Sequence, residues 1–342
     1  MRRLPARLLI LILGLLLPVA ALWSLLTGTV PMTTTDIGLA ISGLLSDSGS
    51  NQESTILLNI RLPRILLALG VGMVLASCGA VMQGLFRNPL ADPSLIGVSS
   101  GASVGASLVI VIVAGWVQVS GSLGLPIVAF GAFAGGFTAT VLVYRLATSN
   151  MGTSVATMLL AGIAISALAG AVNSLLSYFA DNDMLRQISL WQMGNLSSAN
   201  WLRVALIVAV ALMLLVIFPR HSRALNALLL GESEARHLGV DVQAVKQRLI
   251  LLTALGVGIS VAVAGIVAFV GLVVPHVVRL LIGPDHRWLV PGSALAGGVL
   301  LIAADSLARV VVSPAELPTG ILTALLGAPF FVALLIQQRR VI

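Results

Sequence analysis

The chain has 342 residues, of which 58% are hydrophobic and 9% are charged, and its mean hydropathy is +1.08. Soluble domains carry roughly 25% charged residues, so this composition excludes a soluble globular protein and predicts helices that cross a membrane several times. The net charge of +7 does not indicate nucleic-acid binding, because the chain has a single lysine and its basic residues lie between apolar segments.

The N-terminal segment admits two interpretations. Arg2 and Arg3 precede an apolar stretch from Leu8 to Leu26, which is the charge pattern of a secretory signal peptide. The apolar part of a signal peptide is roughly 7–15 residues long, whereas this stretch is long enough to cross a bilayer as a helix. We therefore interpret it as a retained first membrane span.

Apolar segments follow one another along the chain, which predicts an all-α polytopic membrane protein folded as a single domain over residues 1–342. About ten spans are predicted, with approximate limits 7–26, 62–86, 94–116, 123–146, 154–179, 201–218, 244–268, 273–283, 289–310 and 319–337. The eighth is too short to cross a bilayer of about 30 Å as a straight helix, so we expect it inside the bundle, with an irregular start permitted by Gly271 and Pro275. The amphipathic segment 186–198 is expected to form a half-helix at the outer surface.

Basic residues predict the orientation, because cytoplasmic loops of membrane proteins carry an excess of Arg and Lys. With the N-terminus inside, the inner side receives Arg2, Arg3, Arg7, Arg87, Arg145, Arg220, Arg223, Arg236, Lys246, Arg248, Arg279, Arg287, Arg339 and Arg340. The outer side receives Arg61, Arg64, Arg186, Arg203 and Arg309. The opposite orientation would reverse this excess, so both termini are predicted to be cytoplasmic.

Two spans share a short sequence. Leu69–Gly72 in the second span and Leu255–Gly258 in the seventh both read LGVG, and the match extends to Gly79 and Gly265. The two spans are predicted to run in opposite directions, as in the inverted internal repeats of many transporters. Chance similarity in a chain rich in Gly, Ala and Val is the alternative.

Small residues recur every four positions in three spans, which predicts close helix contacts, although such faces can also line a pore. They are Gly97, Gly101 and Gly105 in the third span, Gly131 and Gly135 in the fourth, and Gly162, Ser166 and Gly170 in the fifth.

The segment between Pro219 and Arg248 is polar in an otherwise apolar chain and holds eight of its 31 charged residues. Within it, the sequence from Leu228 to Gly239 predicts a short helix between two glycines. Gly231 can break the preceding turn, and Gly239 can close the helix in a left-handed conformation. A charged helix between membrane spans on the cytoplasmic side predicts a docking surface for a soluble partner, and a solvated connector is the alternative.

No motif for bond-breaking chemistry is found, and no catalytic residue is predicted. A phosphate-binding loop needs Gly-Lys-Ser/Thr, and the only lysine, Lys246, lies outside such a motif, so any ATP hydrolysis must occur on another chain. Cys78 is interpreted as a small core residue, because a single cysteine can form neither an internal disulfide nor a cysteine-based zinc site. The four scattered histidines predict no metal site, and His276 is interpreted as a packing or helix-start residue rather than a ligand.

Asp305 is a rare acid at the end of an apolar run. It lies four residues before Arg309, which predicts an ion pair on the surface of one helix near the outer boundary. A proton relay is the alternative. An ion-coupled secondary transporter, the alternative from another functional class, would need a paired set of acids near the middle of the membrane.

The loop after the second span contains Pro89 and Pro93, which forbid a continuous helix and predict a rigid inner hairpin. Asp92 or Ser94 can cap the next helix, which is predicted to begin at about Leu95.

This loop is part of a resemblance that runs in order through nearly the whole chain. The matching stretches are Arg61–Arg64 (RLPR), Asn88–Pro93 (NPLADP), Gly97–Ser103 (GVSSGAS), Leu160–Gly162 (LAG), Trp191–Gly194 (WQMG), Leu230–Ala235 (LGESEA), Gly271–His276 (GLVVPH), Glu316–Gly320 (ELPTG) and Leu326–Phe330 (LGAPF). Through them the chain resembles the FecCD/BtuC-type permeases, the membrane subunits of ABC importers for iron–siderophores, haem and vitamin B12. Among these it looks most similar to bacterial haemin-uptake permeases.

The resemblance implies a type II ABC importer permease with ten helices per subunit, and a homodimer whose pathway follows the two-fold axis. Two cytoplasmic ATPase subunits would carry ATP–Mg, so this chain itself would need no cofactor. A periplasmic substrate-binding protein would dock outside the bacterial inner membrane. The implied cargo is haem or a related bulky iron chelate, with a ferric siderophore or cobalamin as the alternative.

The resemblance also implies roles for individual residues. Arg61, Arg64 and Arg309 match outer arginines that pair with acidic residues of the binding protein. Asn88, Leu90, Thr153 and Ser154 match the cytoplasmic gate. Within the segment 219–243, the residues that match the ATPase-coupling helix are Leu230, Gly231, Glu232, Glu234, Ala235, Arg236, Leu238 and Gly239. The fifth span and the outer half-helix are candidates to line the pathway.

Overall fold

The computed structural model of the protein describes residues 4–28, 32–38, 52–113, 124–149 and 152–339. Fourteen helices account for most of these ranges: α1 (Ala6–Leu26), α2 (Gln52–Ile56), α3 (Leu62–Leu85), α4 (Val98–Leu108), α5 (Gly124–Ala147), α6 (Val155–Phe179), α7 (Asn182–Gln192), α8 (Trp201–Arg220), α9 (Ser222–Leu230), α10 (Glu232–His237), α11 (Val242–Ala264), α12 (Val270–Ile282), α13 (His286–Ala308) and α14 (Thr319–Arg339). A short antiparallel hairpin of β1 (Thr148–Ser149) and β2 (Gly152–Thr153) joins α5 to α6.

All ten predicted spans correspond to helices. Within the described ranges, seven helical stretches are long and apolar enough to cross a membrane, namely those containing α1, α3, α5, α6, α8, α11 and α13. The segments Val98–Val113, Val270–Ile282 and Thr319–Leu334 are shorter apolar helices. The chain is therefore an all-α, multi-pass membrane protein, as its composition predicts.

Several helix limits differ from those predicted, and caps explain the differences. The third span begins at Val98 rather than near residue 95, because Gly97 has a φ of +81° and separates it from a 3₁₀ turn at Pro93–Ile96. The outer half-helix begins at Asn182 rather than 186, because the Asp181 side chain accepts a hydrogen bond from the backbone and caps it.

The short helix α12 starts differently from the prediction. Gly271 and Pro275 lie inside the helix instead of forming its irregular start. The irregular segment precedes them and runs from Gly265, with a φ of +71°, to Phe269, with a φ of +66°. At Gly271 the helix α12 packs closely on α3, and it is Gly79 of α3 that permits this, since a Cβ built on Gly79 would lie 1.8 Å from the Gly271 carbonyl oxygen.

The predicted small-residue contacts hold for the third and fourth spans. A Cβ on Gly105 would lie 2.0 Å from the Gly131 carbonyl oxygen, and one on Gly135 would lie 2.3 Å from the Gly101 carbonyl oxygen. The backbones of α4 and α5 therefore touch, which gains dispersion contact without large side chains. The stripe in α6 is different, because a Cβ on Gly170 would meet nothing within 4 Å.

The helix α3 is the centre of the bundle and is buried along nearly its whole length. Arg64 near its start contacts Asp305 near the end of α13, whereas Gly84 near its end faces His286 at the start of α13. The two helices are therefore antiparallel. In the predicted orientation, the end with Arg64 and Asp305 is the outer end, and the end with Gly84 and His286 is the inner end.

The two LGVG helices, α3 and α11, run in opposite directions as predicted. Helix α8 is parallel to α3, because its Ile207 packs on Gly70, and it is antiparallel to α11, because its Arg203 donates to the Val263 carbonyl. The repeat relationship itself stays a prediction.

Candidate functional site

At the outer end of the bundle, Arg64 lies in a buried ionic cluster. Its Nε donates to both carboxylate oxygens of Asp305, at 3.1 and 3.0 Å, and its Nη2 donates to Asp305 Oδ1 at 3.0 Å. Its Nη1 donates to Glu316 Oε2 at 2.8 Å. Thr319 adds a hydrogen bond to Asp305 Oδ1 at 3.1 Å. One carboxylate therefore joins α3, α13 and α14.

Two more arginines attach α1 to this cluster. Arg309 Nη1 donates to the Thr27 carbonyl at 3.0 Å, and its Nη2 donates to the Ser24 carbonyl and hydroxyl at 3.2 and 2.6 Å. Arg61 Nη1 donates to the Leu25 carbonyl. These guanidinium groups satisfy carbonyls at the end of α1, where a helix lacks its own hydrogen-bond donors.

The sequence predicts that the three arginines lie at the outer surface, and this is wrong for a single subunit. Arg61, Arg64 and Arg309 are only 4%, 6% and 4% exposed. The Asp305–Arg309 pair is not a surface pair either, because Arg309 Nε lies 3.3 Å from Asp305 Oδ2 and both side chains are buried. The guanidinium groups contact acceptors on other helices, which sequence spacing does not reveal. Docking of a binding protein by these arginines stays a prediction.

The first predicted gate element, the loop after α3, is a structured turn. Asn88 Oδ1 accepts a hydrogen bond from the Leu90 backbone N–H at 2.9 Å. Asp92 Oδ1 accepts one from the Ser94 N–H at 2.7 Å and caps the 3₁₀ turn. Burial raises the pKa of the Asp92 carboxyl above its ordinary value, although its hydrogen bonds with Ser94 oppose the shift. The loop holds Asn88 exposed and Leu90 half-buried at the inner end of the bundle.

The second predicted gate element is the hairpin β1–β2 with the start of α6. Ser154 Oγ accepts a hydrogen bond from the Thr157 N–H at 3.3 Å and caps α6. Thr153 is buried, and the Gln243 side chain of α11 forms two hydrogen bonds with it. Gln243 Nε2 donates to Thr153 Oγ1 at 2.7 Å, and the Thr153 N–H donates to Gln243 Oε1 at 3.2 Å. This element is therefore attached to α11, whereas the hydrogen bonds described above for Asn88 and Asp92 stay within their own loop.

The short helix predicted between Gly231 and Gly239 is α10, and a further helix of the polar segment, α9, precedes it. Helix α9 ends at Leu230, and Gly231, with a φ of +132°, separates it from α10. Asn226 of α9 anchors this segment to the bundle. Its Nδ2 donates to Asp285 Oδ1 at 2.7 Å, and its Oδ1 accepts from the His286 N–H at 2.9 Å. Sequence spacing contains no signal for this contact, because Asn226 and Asp285 are 59 residues apart.

The end of α10 is confirmed as predicted. Gly239 has a φ of +80°, and its N–H donates to the Arg236 carbonyl at 2.9 Å. The Val240 N–H donates to the Ala235 carbonyl at 3.0 Å. This pair of bonds is the left-handed helix cap that glycine favours.

The surface of α10 combines charge with exposed apolar side chains. Ala235 faces inward and is fully buried, whereas Glu234 and Arg236 are exposed. Leu230 and Leu238, at either end of α10, are 67% and 65% exposed. Large apolar side chains surrounded by a polar rim are typical of a protein-binding patch. Among the predicted coupling residues, Gly231 and Ala235 are buried and Glu232 is half-buried, and the others are exposed.

Two cavities adjoin the predicted pathway elements. One of about 540 Å³ lies between the Asp92 turn, α6 and the irregular segment before α12, with a mainly apolar lining. Its polar groups include Asp92 and the hydroxyls of Ser100 and Ser166, which are 2.9 Å apart. A second cavity of about 320 Å³ is lined by Trp191 of α7 and Arg203 of α8. The fifth span and the outer half-helix thus each form a cavity wall.

Comparison with known proteins identifies the family. The FecCD transport family matches residues 15–337. The chain belongs to this family. It is 46% identical over 303 residues to the haemin transport system permease protein HmuU of Yersinia pestis, covering 89% of this chain and 90% of that protein. It is also 46% identical over 276 residues to the cobalamin import system permease protein BtuC of Halobacterium salinarum, covering 81% and 72%.

Among solved structures, one described as a metal-chelate type ABC transporter in an inward-facing conformation is 33% identical. The TM-score is 0.82, and the match covers 96% of this chain and 98% of that one. The resemblance drawn from the sequence motifs is therefore confirmed. As a member of the FecCD family, the chain is a permease of the ABC importer class, which is a transport subunit rather than an enzyme.

Proposed function

We propose that this chain is the membrane-spanning subunit of an ATP-driven importer that carries haem, or a related bulky iron chelate, from the periplasm to the cytoplasm of a bacterium. The 46% identity to a haemin permease over 89% of the chain supports this cargo. Cobalamin and ferric siderophores are the alternative cargoes of the same family, since the cobalamin relative is equally identical over a shorter match.

The proposed assembly is a homodimer in the bacterial inner membrane, with both termini of each subunit in the cytoplasm. Two ATPase subunits bind on the cytoplasmic side and carry ATP–Mg, and a periplasmic binding protein delivers the cargo outside. This chain binds no cofactor and makes or breaks no bond. The excess of arginines on the inner side of the predicted topology supports this orientation.

The surface of α10 is the single observation that carries this proposal. It exposes Leu230, Leu238 and Arg236 on the same side of the molecule as the gate hairpin, and its left-handed cap at Gly239 fixes its exit. A soluble ATPase that changes conformation with nucleotide needs such a rigid contact to move the membrane helices. Movement of α10 would then alternate access between the two sides of the membrane by rigid-body and gate rearrangement.

An ion-coupled secondary transporter is disfavoured by the environment of Asp305. A proton or cation relay needs an acid that can change charge during transport. Asp305 is instead paired with Arg64 and Arg309 and is buried among their hydrogen bonds. Two arginines therefore occupy this carboxylate at the junction of α3 and α13, where a relay would need it free.

Transport into proteoliposomes tests the function and the cargo together. The permease is reconstituted with its ATPase, and haem, a ferric siderophore and cobalamin are each supplied through a candidate binding protein. We expect ATP-dependent haem uptake and none when the ATPase is replaced by a hydrolysis-deficient variant. If only cobalamin or only the siderophore is taken up, that compound and not haem is the cargo. Equal uptake without ATP but with an ion gradient would overturn the ABC mechanism.

A further inference from the structure

Lys246 is the only lysine of the chain, and it is buried. It lies in the second turn of α11 and is 2% exposed. Lysine is rarely buried unless its ammonium is paired, because removal of the charge from water is costly. The position of Lys246 therefore needs an explanation beyond packing.

The ammonium of Lys246 has acceptors from two separate segments. Nζ donates to Glu232 Oε1 at 2.5 Å, and Glu232 is the first residue of α10. Nζ also donates to the backbone carbonyl of Thr153 at 2.9 Å, at the end of the hairpin β1–β2. Glu232 and Thr153 are 14 and 93 residues from Lys246 in sequence. One buried cation thus joins the predicted ATPase-docking helix to the predicted gate.

Gln243, one turn before Lys246 on α11, attaches to the same residue of the hairpin. It exchanges two hydrogen bonds with Thr153, one to the hydroxyl and one from the backbone N–H. The first turns of α11 therefore hold Thr153 by its side chain, its N–H and its carbonyl. Because Thr153 directly precedes Ser154, the cap of α6, a shift of α11 moves the start of α6 as well.

Glu232 is the movable end of this connection. Its side chain is 38% exposed, and its second carboxylate oxygen lies 3.8 Å from the exposed Arg236. If a partner displaces α10, separation of Glu232 from Lys246 would leave a buried ammonium with one carbonyl acceptor, which is costly. Movement of the pair as a unit avoids that cost, so displacement of α10 is transmitted to α11 and the hairpin.

We propose that Lys246 is a positioning residue that transmits movement of α10 to the hairpin β1–β2 and the start of α6, an inference that rests on the proposed function of α10 as the ATPase-docking helix. Lys246 contacts neither cargo nor nucleotide. It acts by holding Glu232 and Thr153 at a fixed separation, so that the gate hairpin follows the docking helix.

Hydrogen–deuterium exchange on the complete transporter tests this transmission. In the wild type, we expect trapping of the ATPase with ADP and vanadate to change exchange at both residues 232–239 and residues 148–154. In Lys246→Met, the change at 232–239 should persist and the change at 148–154 should be lost. Glu232→Gln, which keeps an uncharged acceptor and so is less disruptive to folding, should give a reduced response at the hairpin. Arg287→Gln is the control, because it removes an exposed cation at the same end of the bundle that belongs to neither the docking helix nor the gate.

Transport and hydrolysis measured on the same samples add a second readout. We expect Lys246→Met to lower transport per ATP hydrolysed at least several-fold, while Arg287→Gln keeps the wild-type ratio. The double variant Lys246→Met with Glu232→Gln should be no worse than Lys246→Met alone, because both changes break one connection. If exchange at residues 148–154 changes in Lys246→Met as fully as in the wild type, Lys246 does not transmit the movement of α10. If exchange at residues 232–239 of the wild type does not change when nucleotide is trapped, α10 does not dock the ATPase. The transmission role of Lys246 is then overturned as well.

Discussion

Arg64 on α3 and Asp305 on α13 are 241 residues apart in sequence, yet three hydrogen bonds of 3.0–3.1 Å join the guanidinium to the carboxylate. Both side chains are buried at the outer end of the bundle. A buried charge that loses its partner is costly, so this pair fixes the position of α3 against α13.

Removal of one member of this pair should destabilise the subunit. We expect Asp305→Asn or Arg64→Gln to lower the free energy of unfolding by about 3–5 kcal/mol, because each leaves a buried charge with fewer partners. Denaturant unfolding of the subunit in detergent measures the effect. Arg186→Gln is the control, since Arg186 is an exposed arginine on α7. An Asp305→Asn variant as stable as the wild type would show that the cluster does not hold the helices together.

Glu316 provides a test of binding-protein docking that does not require breaking the cluster. Its side chain is 32% exposed, and its carboxylate accepts a hydrogen bond from Arg64 Nη1. If Arg64 receives a carboxylate from the binding protein, Glu316 competes with that carboxylate. We therefore expect Glu316→Gln to speed association with the binding protein, most strongly at low salt, as measured by surface plasmon resonance. Glu234→Gln on the opposite side is the control. Unchanged association at every salt concentration argues that the arginines are structural only.

The contact between Gly79 and Gly271 predicts a strong effect of a single methyl group. A Cβ on Gly79 would lie 1.8 Å from a backbone oxygen of α12, which cannot move away as a flexible side chain can. We expect Gly79→Ala to separate the helices and to cost at least about 1–3 kcal/mol, seen as lower thermal stability and yield. Gly14→Ala is the matched control, because a Cβ there meets nothing within 4 Å. Equal stability of the two variants would contradict the packing.

The fold and the helix α10 were predictable because the relevant signals are local. Apolar length locates the spans, and the glycines at 231 and 239 mark the limits of α10 through their own backbone conformations. The predicted start of α7 was wrong, because the Asp181 side chain caps the helix and it begins four residues earlier than predicted. Such errors concern one or two turns and leave the fold unchanged.

The environments of charged residues were not predictable, because they depend on contacts between distant segments. Arg61 and Arg64 follow a polar stretch of sequence and were predicted at the surface, yet they are buried against acceptors from α1, α13 and the loop before α14. Lys246 offered one signal, as a lone lysine at the start of an apolar span. Its acceptors, Glu232 and Thr153, could not be inferred from spacing.

The proposed homodimer can be tested at the gate loop. Asn88 is exposed at the inner end of the subunit, and the native Cys78 is buried and will not compete for crosslinker. We expect Asn88→Cys to crosslink between identical subunits when nucleotide trapping closes the inner side, as detected by gel electrophoresis. Ser197→Cys, an exposed position at the outer end, should not crosslink in the same state. Full transport activity by a monomeric preparation would exclude the dimer.

The sharp exit of α10 gives the last prediction, which concerns coupling. Gly239 has a φ of +80°, a conformation that costs a β-branched residue roughly 1–2 kcal/mol, and a Cβ there would meet nothing within 4 Å. Gly239→Val should therefore disturb the backbone path of α10 through conformation rather than through a clash.

A misdirected α10 should uncouple ATP hydrolysis from transport, because coupling requires contacts that differ between two states and not affinity alone. We expect Gly239→Val, and more weakly Glu234→Ala, to lower transport per ATP hydrolysed when both rates are measured in the same liposomes. Gly14→Val is the control, since Gly14 lies in α1 with open space around it and an ordinary helical backbone. If Gly239→Val and Glu234→Ala both keep the wild-type ratio, the segment is a solvated connector and the docking surface lies elsewhere.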